Sequence, residues 1–168
     1  MRQVLGPALP AIDLLHANLE ECCHLVGAAA PLGEAEATDA ELRALVAPLL
    51  AGGVGIVALT LGASGAFVAV SADEARLRRG GAALGRAAEH WCGAEARAPA
   101  LPLAGELNAN GAGDAFTAGM LAALLSSEEA ALTLEQAALL GSESARQRID
   151  SARRDTPRSA RALVEGMV

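Results

Sequence analysis

Leu107-Asn108-Ala109-Asn110-Gly111-Ala112-Gly113-Asp114-Ala115-Phe116-Thr117-Ala118-Gly119, followed by the apolar residues 120–125, is the stretch on which the reading of this chain turns. Two glycines around a small residue, then a carboxylate, then an apolar segment with helical potential describe a loop that becomes a helix. Gly111 and Gly113 admit turn conformations closed to residues with a Cβ and leave no side chain in a ligand's way. The first N–H groups of such a helix are bare. Together with the positive end of the helix dipole they favour an anion, which is the physics of phosphate binding at helix N-termini. Asp114 admits two readings. A carboxylate in the first turn is favoured by the dipole alone. Beside a nest built for anions it is also placed to take a proton from a hydroxyl while the N–H groups hold the phosphoryl group.

The rest of the chain bounds what this loop belongs to. A length of 168 residues with 52% of them hydrophobic gives one domain with a real core and no room for two ordinary ones. The net charge is −7 and no Lys/Arg run is interleaved with aromatics, so nucleic acid is not an expected partner. Phe67, Phe116 and Trp91 are the whole aromatic set, and the core must be built from Ala, Leu and Val. Cys22, Cys23 and Cys92 form no spaced framework, and residues 1–10 carry no sustained apolar run of a signal peptide. A reducing compartment, the cytoplasm with an organelle left open, is expected. Cys22-Cys23-His24 lacks zinc-site spacing.

Residues 11–17 read as a strand, and Asn18 with Glu21 reads as an approximate capping box for a helix through Val26, stopped by Gly27. Residues 31–37 are a small-residue loop. Thr38-Asp39-Ala40-Glu41 opens a second helix carrying Leu42, Leu45, Val46 and Leu49, with Pro48 and Gly52-Gly53 at its end. Residues 44–72 contain no charge, but Pro48, Gly52, Gly53, Gly55, Gly62 and Gly65 punctuate the run, so a membrane span is rejected in favour of strands at 54–60 and 66–70. Thr60-Leu61-Gly62-Ala63-Ser64-Gly65 between them has the form of a hairpin turn. Residues 73–97, with Arg76, Arg78 and Arg79 clustered, read as a solvated loop, and nothing fixes those arginines relative to Asp114. Residues 99–107 read as a short edge strand limited by its prolines. The helix behind Asp114 runs to about Leu125, and Thr133 caps another carrying Ala137, Ala138 and Leu140 to Gly141-Ser142. Residues 150–157 read as a polar loop and 158–168 as a terminal helix. The alternation predicts an α/β fold, a mostly parallel sheet flanked by helices, with ligands bound beyond the carboxyl ends of the strands.

Gly111, Ala112, Gly113, Asp114 and Phe116 match the second signature of the ribokinase-like (PfkB) carbohydrate kinase family, D-T-T-G-A-G-D-x-F, and the stretch resembles it. The resemblance implies a three-layer α/β/α fold, an anion hole formed by Gly111, Ala112 and Gly113, and Asp114 as catalytic base. Asn18 and Glu21 resemble the family's N-x-x-E, which organises Mg²⁺ and phosphate; capping remains the alternative, and one Glu in a polar turn is sufficient for a cation that keeps several waters. Thr60, Gly62 and Gly65 resemble T-L-G-x-x-G, whose Thr and Gly positions touch the ATP phosphates. Gly141 and Ser142 fall on the helix that passes the adenine in the family, with ordinary packing as the alternative. Asn108-Ala109-Asn110 stands where the family most often has Asp-Thr-Thr. That first Asp commonly helps bind a monovalent cation, so the resemblance does not carry such a cation over.

Three motifs in this order cover the chain from about Ala11 onward. They imply an ATP- and Mg²⁺-dependent phosphotransferase acting on a hydroxyl of a sugar or nucleoside. No counterpart of the family's glycine-rich first signature, sugar-binding residues or lid is recognisable, so residues 1–168 are expected to be the C-terminal, nucleotide-side portion of one kinase domain. The alternative is a non-catalytic nucleotide-binding remnant or interaction module. A sheet edge left open in either case would favour a homodimer or a partner chain.

Overall fold

Asn18 ends the first strand and opens the first helix. Strand β1, Leu14–Asn18, runs directly into helix α1, Leu19–Val26. The Glu21 N–H donates to Asn18 Oδ1 at 2.8 Å, and the Asn18 N–H donates to Glu21 Oε2 at 2.9 Å. This reciprocal box satisfies two otherwise orphaned donors. Thr38 and Glu41 repeat it at the start of helix α2, Asp39–Ala51. Pro48 lies inside that helix on an exposed position, forgoing one backbone hydrogen bond without ending the helix. The computed structural model describes residues 5–29, 37–103, 108–126 and 132–150. The loop expected at 31–37, but for Ala37, the terminal helix at 158–168 and all but the first residue of the polar loop at 150–157 lie outside them.

Strands β2, Ile56–Thr60, and β3, Ala66–Val70, are joined by the short 3₁₀ turn Gly62–Ser64, and β4 spans Glu95–Ala98. The sheet order is β1-β2-β3-β4. β1 and β2 are parallel, as the long crossover through α1 and α2 requires, whereas the hairpin makes β2–β3 antiparallel and β3–β4 follows suit. The fold is α/β as expected; its described sheet is mixed.

The register sorts the side chains onto two buried faces. Ile56, Ala58, Val68 and Val70 face helices α4, α5 and α6, whose ranges follow, while Leu15, Ala17, Val57, Leu59 and Phe67 face α1 and α2. Helices therefore cover both sides, which is why β2 and β3 read as nearly continuous apolar runs. Across the second face Arg43 of α2 holds Glu95 of β4 in a two-pronged contact, and Asp39 accepts from Arg97 at 2.6 Å. These exposed pairs orient α2 on the edge strand.

Residues 73–97 are not a loop. They form α3, Glu74–Arg79, α4, Ala82–Trp91, and β4. Asp73 caps α3, and Leu84, Ala87, Ala88 and Trp91 form a buried helical stripe that the surrounding charge obscures in the sequence. Arg76 is only 3% exposed and ties the chain together, donating to the carbonyls of Gly53 and Ile12 and pairing with Asp13 at 2.9 Å. Arg78 pairs with Glu74. Residues 99–103 form no strand, and 104–107 lie outside the described residues. Cys22 and Cys23 are buried in the core, with burial and the neighbouring thiol pushing Cys22 up to about 12, and His24 accompanies the Glu20 carbonyl at 3.0 Å.

Helix α5, Ala112–Leu125, packs along α6, Leu134–Ile149, which continues past Gly141-Ser142 instead of stopping there. The reason is close packing. A Cβ on Gly119 would lie 2.7 Å from the Leu140 carbonyl oxygen and 2.9 Å from Gly141 Cα, and one on Gly141 would lie 2.8 Å from the Phe116 ring. Gly141 is thus a notch for Phe116. No helix among the described residues is long and apolar enough to cross a membrane.

This contact predicts opposite outcomes for two formally identical substitutions. Gly85→Ala in α4, with nothing nearer than 3.8 Å, is expected to keep a helix-propensity gain of up to about 1 kcal/mol. Gly119→Ala is expected to lose about 1–3 kcal/mol because backbone atoms of α6 must move. Urea denaturation of the two variants beside the parent decides it; a Gly119→Ala protein as stable as Gly85→Ala would contradict the packing.

Candidate functional site

The carboxyl ends of β1 and β2 and the amino end of α5 meet at one place. The parallel register sets Asn18 beside Thr60. Beyond Thr60 the chain turns through Gly62 and Gly65. Gly65 has φ +88°, and a Cβ there would lie 2.0 Å from the Ala98 carbonyl oxygen, so no other residue fits under the passing chain. Gly111 caps α5 in the left-handed region with φ +79°, and no side chain caps the first turn. The Ala112 N–H donates to the Ala109 carbonyl at 3.1 Å, and those of Gly113 and Asp114 are left to whatever enters the loop.

His16 joins these pieces. It lies two residues before Asn18 on the same face of β1, and its Nε2 is 3.3 Å from Thr60 Oγ1. Its ring centroid is 6.0 Å from that of Phe116 in a tilted arrangement. A Cβ on Gly113 would lie 2.7 Å from His16 Cε1. The glycine after Ala112 therefore lets the head of α5 sit down on the histidine ring. Burial lowers the His16 pKa below its ordinary value of 6.5, against opposing pulls from the carboxylates of Glu21 and Asp114. The imidazole is thus favoured in its neutral form. Sequence reasoning passed over His16; the signal was its place on the alternating strand, facing the same way as Asn18.

A cleft of about 430 Å³ opens between these loops and α6. Asn18, Thr60, Gly62, Gly65, Ala112 and Gly113 line one part, and Leu101, Leu103, Ala145 and Ile149 give it an apolar part that also holds Ser142. Among the residues singled out in the sequence, Gly111, Asp114, Glu21 and Gly141 do not line it. Gly111 lies at the loop's outer bend, against Arg148. Asp114 is exposed in the first turn of α5. Gly141 is packed under Phe116. Glu21 is exposed and spends one carboxylate oxygen on the cap. Its remaining oxygen is a donor of the hard type that a cation held mainly through water takes, and among the described residues no group of three metal-binding side chains comes together.

The His16 environment predicts a pH-dependent stability. An unfolded chain protonates this residue near 6.5 while the folded chain resists, so stability is complete above that value and falls as the pH drops below it toward the folded pKa. Thermal unfolding followed at pH 7.5 and pH 5.5 is expected to show a smaller drop in Tm for His16→Gln than for the parent. An equal drop in both would contradict a half-buried imidazole that favours its neutral form.

The fold is shared with solved kinases. Ribokinase from Arabidopsis thaliana, complexed with ribose and ATP, matches 95% of this chain and 43% of its own length, with 19% identity and a TM-score of 0.65. Phosphofructokinase-2 from Escherichia coli, in complex with substrates and products, matches 99% of this chain and 45% of its own, with 18% identity and a TM-score of 0.64. Aminoimidazole riboside kinase from Salmonella enterica matches 89% and 40%, with 19% identity and a TM-score of 0.58. The chain thus spans less than half the length of these kinases, and at such identities the likeness is one of fold. No protein of curated function matches the sequence. The sequence pattern of the family is nevertheless met over residues 1–158, and on that ground the chain belongs to the pfkB family of carbohydrate kinases.

Proposed function

We propose that this chain is the nucleotide-side portion of an ATP-dependent kinase that phosphorylates a hydroxyl of a sugar or nucleoside. One observation carries the reading: the three loops after β1, after β2 and before α5 converge on a single cleft with a polar and an apolar part. In this reading the apolar part between Leu101, Leu103 and Ile149, with Ser142, receives the adenine. Thr60, Gly62 and Gly65 hold the phosphates, and the N–H groups of Gly113 and Asp114, presented by the bend through Gly111, Ala112 and Gly113, stabilise the transferring phosphoryl group. Asn18 and Glu21 hold the waters of a Mg²⁺ ion, which neutralises phosphate charge when bound.

Asp114 accepts the proton of the acceptor hydroxyl as its oxygen forms a bond to the γ-phosphorus, while the bond from that phosphorus to the β–γ bridging oxygen breaks and ADP leaves. Exposure of Asp114 fits a base that must reach an acceptor arriving from outside this chain. The three cysteines are free, which accords with a reducing, cytoplasmic setting.

A second reading is a nucleotide-binding module without turnover of its own. The two readings share the nucleotide and differ in the acceptor. A kinase must cover its acceptor and exclude water, and we propose that further residues supplied by a longer chain or a partner do so.

Calorimetry of the folded chain with Mg-ATP is expected to show binding that Gly111→Val weakens, since a β-branched residue is penalised at positive φ. In a context that turns over, Asp114→Asn is expected to lower kcat by about 10²–10⁴ with little change in ATP affinity. Near-normal turnover in that variant would refute the base assignment, and a loss of Tm alone would return Asp114 to capping.

A further inference from the structure

Arg148 stands at the last turn of α6, over the bend of the loop that opens α5. A Cβ on Gly111 would lie 3.2 Å from its Nε and 3.7 Å from its Cζ, so the guanidinium plane rests on the one residue of the loop that presents bare backbone to it. The loop and the helix end are tied together. The Asn108 N–H donates to the Ile149 carbonyl at 3.2 Å, which holds the arginine's attachment point in register with the loop. Arg146, on the same turn, is spoken for: it is buried and paired with Glu143. Arg148 is exposed, and among the described residues no carboxylate is paired with it.

The charges around the cleft make this arrangement informative. Glu21 and Asp114 are close enough to act on His16, and His16 itself favours its neutral form. A site offering two carboxylates and backbone dipoles to a polyphosphate needs fixed positive charge beyond what a magnesium ion carries. A guanidinium supplies it with a planar fork that matches two phosphate oxygens at once. The ordinary alternative is a basic residue favoured by the dipole at a helix C-terminus, which requires no ligand.

We propose that Arg148 is a phosphate-binding residue of this site: its guanidinium reaches over Gly111 to the phosphate group held by the loop and neutralises the charge there. The proposal rests on the kinase reading above and adds to it a side chain that lies outside all three sequence motifs. It forms and breaks no covalent bond. Its action is electrostatic, strongest on the terminal phosphate, and absent for a ligand without one.

The test is calorimetric titration of the folded chain with Mg-ATP, with inorganic triphosphate and with adenosine, for the parent, Arg148→Met, Arg148→Lys and Arg79→Met. Arg79 is exposed on α3 and serves to match the change in net charge. Arg148→Met is expected to weaken Mg-ATP and triphosphate by about tenfold or more, the worth of one charge-assisted hydrogen bond. Adenosine affinity and Tm should stay unchanged, Arg148→Lys should recover part of the loss, and Arg79→Met should match the parent. Affinity for both phosphate ligands within about twofold of the parent in Arg148→Met, while the parent binds Mg-ATP, would overturn the arginine's role and leave the kinase reading standing. An equal loss for adenosine would also overturn it, by making the effect one of packing. A folded parent that binds neither phosphate ligand would overturn both.

Discussion

The contact of Gly113 with the edge of the His16 ring fixes how closely α5 approaches β1, and the geometry of the cleft follows from it. A methyl group at position 113 would lie 2.7 Å from the ring and push the helix head away. With the glycine in place, the first turn of α5, free of a side-chain cap, lies over the strand end where Asn18 and Thr60 stand side by side. His16 is half-buried there and favours its neutral form: a charge beneath the loop would carry a desolvation cost, whereas a neutral ring packs on Phe116 and faces the Thr60 hydroxyl.

Behind this junction, α5 is held by a second close approach. Gly119 and Gly141 bring the backbones of α5 and α6 together, and Phe116 fills the notch at Gly141. Phe116 therefore touches both elements: its ring packs on Gly141 from one helix and neighbours His16 from the sheet. Burying such a side chain is worth roughly 1.5–3 kcal/mol, but its position matters as much as its area, since it couples the helix pair to the strand beneath the loop. The motif's aromatic residue is a packing element, and the glycines around it are spacing elements.

These features were unequally legible in the sequence. Asn18 with Glu21, the glycines at 62 and 65, and the Gly111–Asp114 stretch were readable because each is local: a cap, a turn and a helix start are written within a few adjacent residues. The first strands and the helices after Asn18, Thr38 and Gly111 were readable for the same reason. Residues 73–97 were misread because charges crowd the stripe of Leu84, Ala87, Ala88 and Trp91. The partners of Glu95 and Arg97, namely Arg43 and Asp39, lie more than fifty residues away. Gly141-Ser142 looked like a helix end and is a notch whose purpose appears only with Phe116 in place. His16 and Arg148 were invisible as site residues because their relation to the loop is wholly tertiary.

The central claim is that three separated loops form one phosphate-binding surface on this chain. Amide NMR during titration with Mg-ATP tests it most directly, since each loop reports for itself. The account predicts that the amides of residues 18–21, 60–65 and 111–114 shift together along one saturation curve, while those of α4, which lines no part of the cleft, stay in place. Shifts confined to a single loop, or saturating at different concentrations in the three, would contradict it.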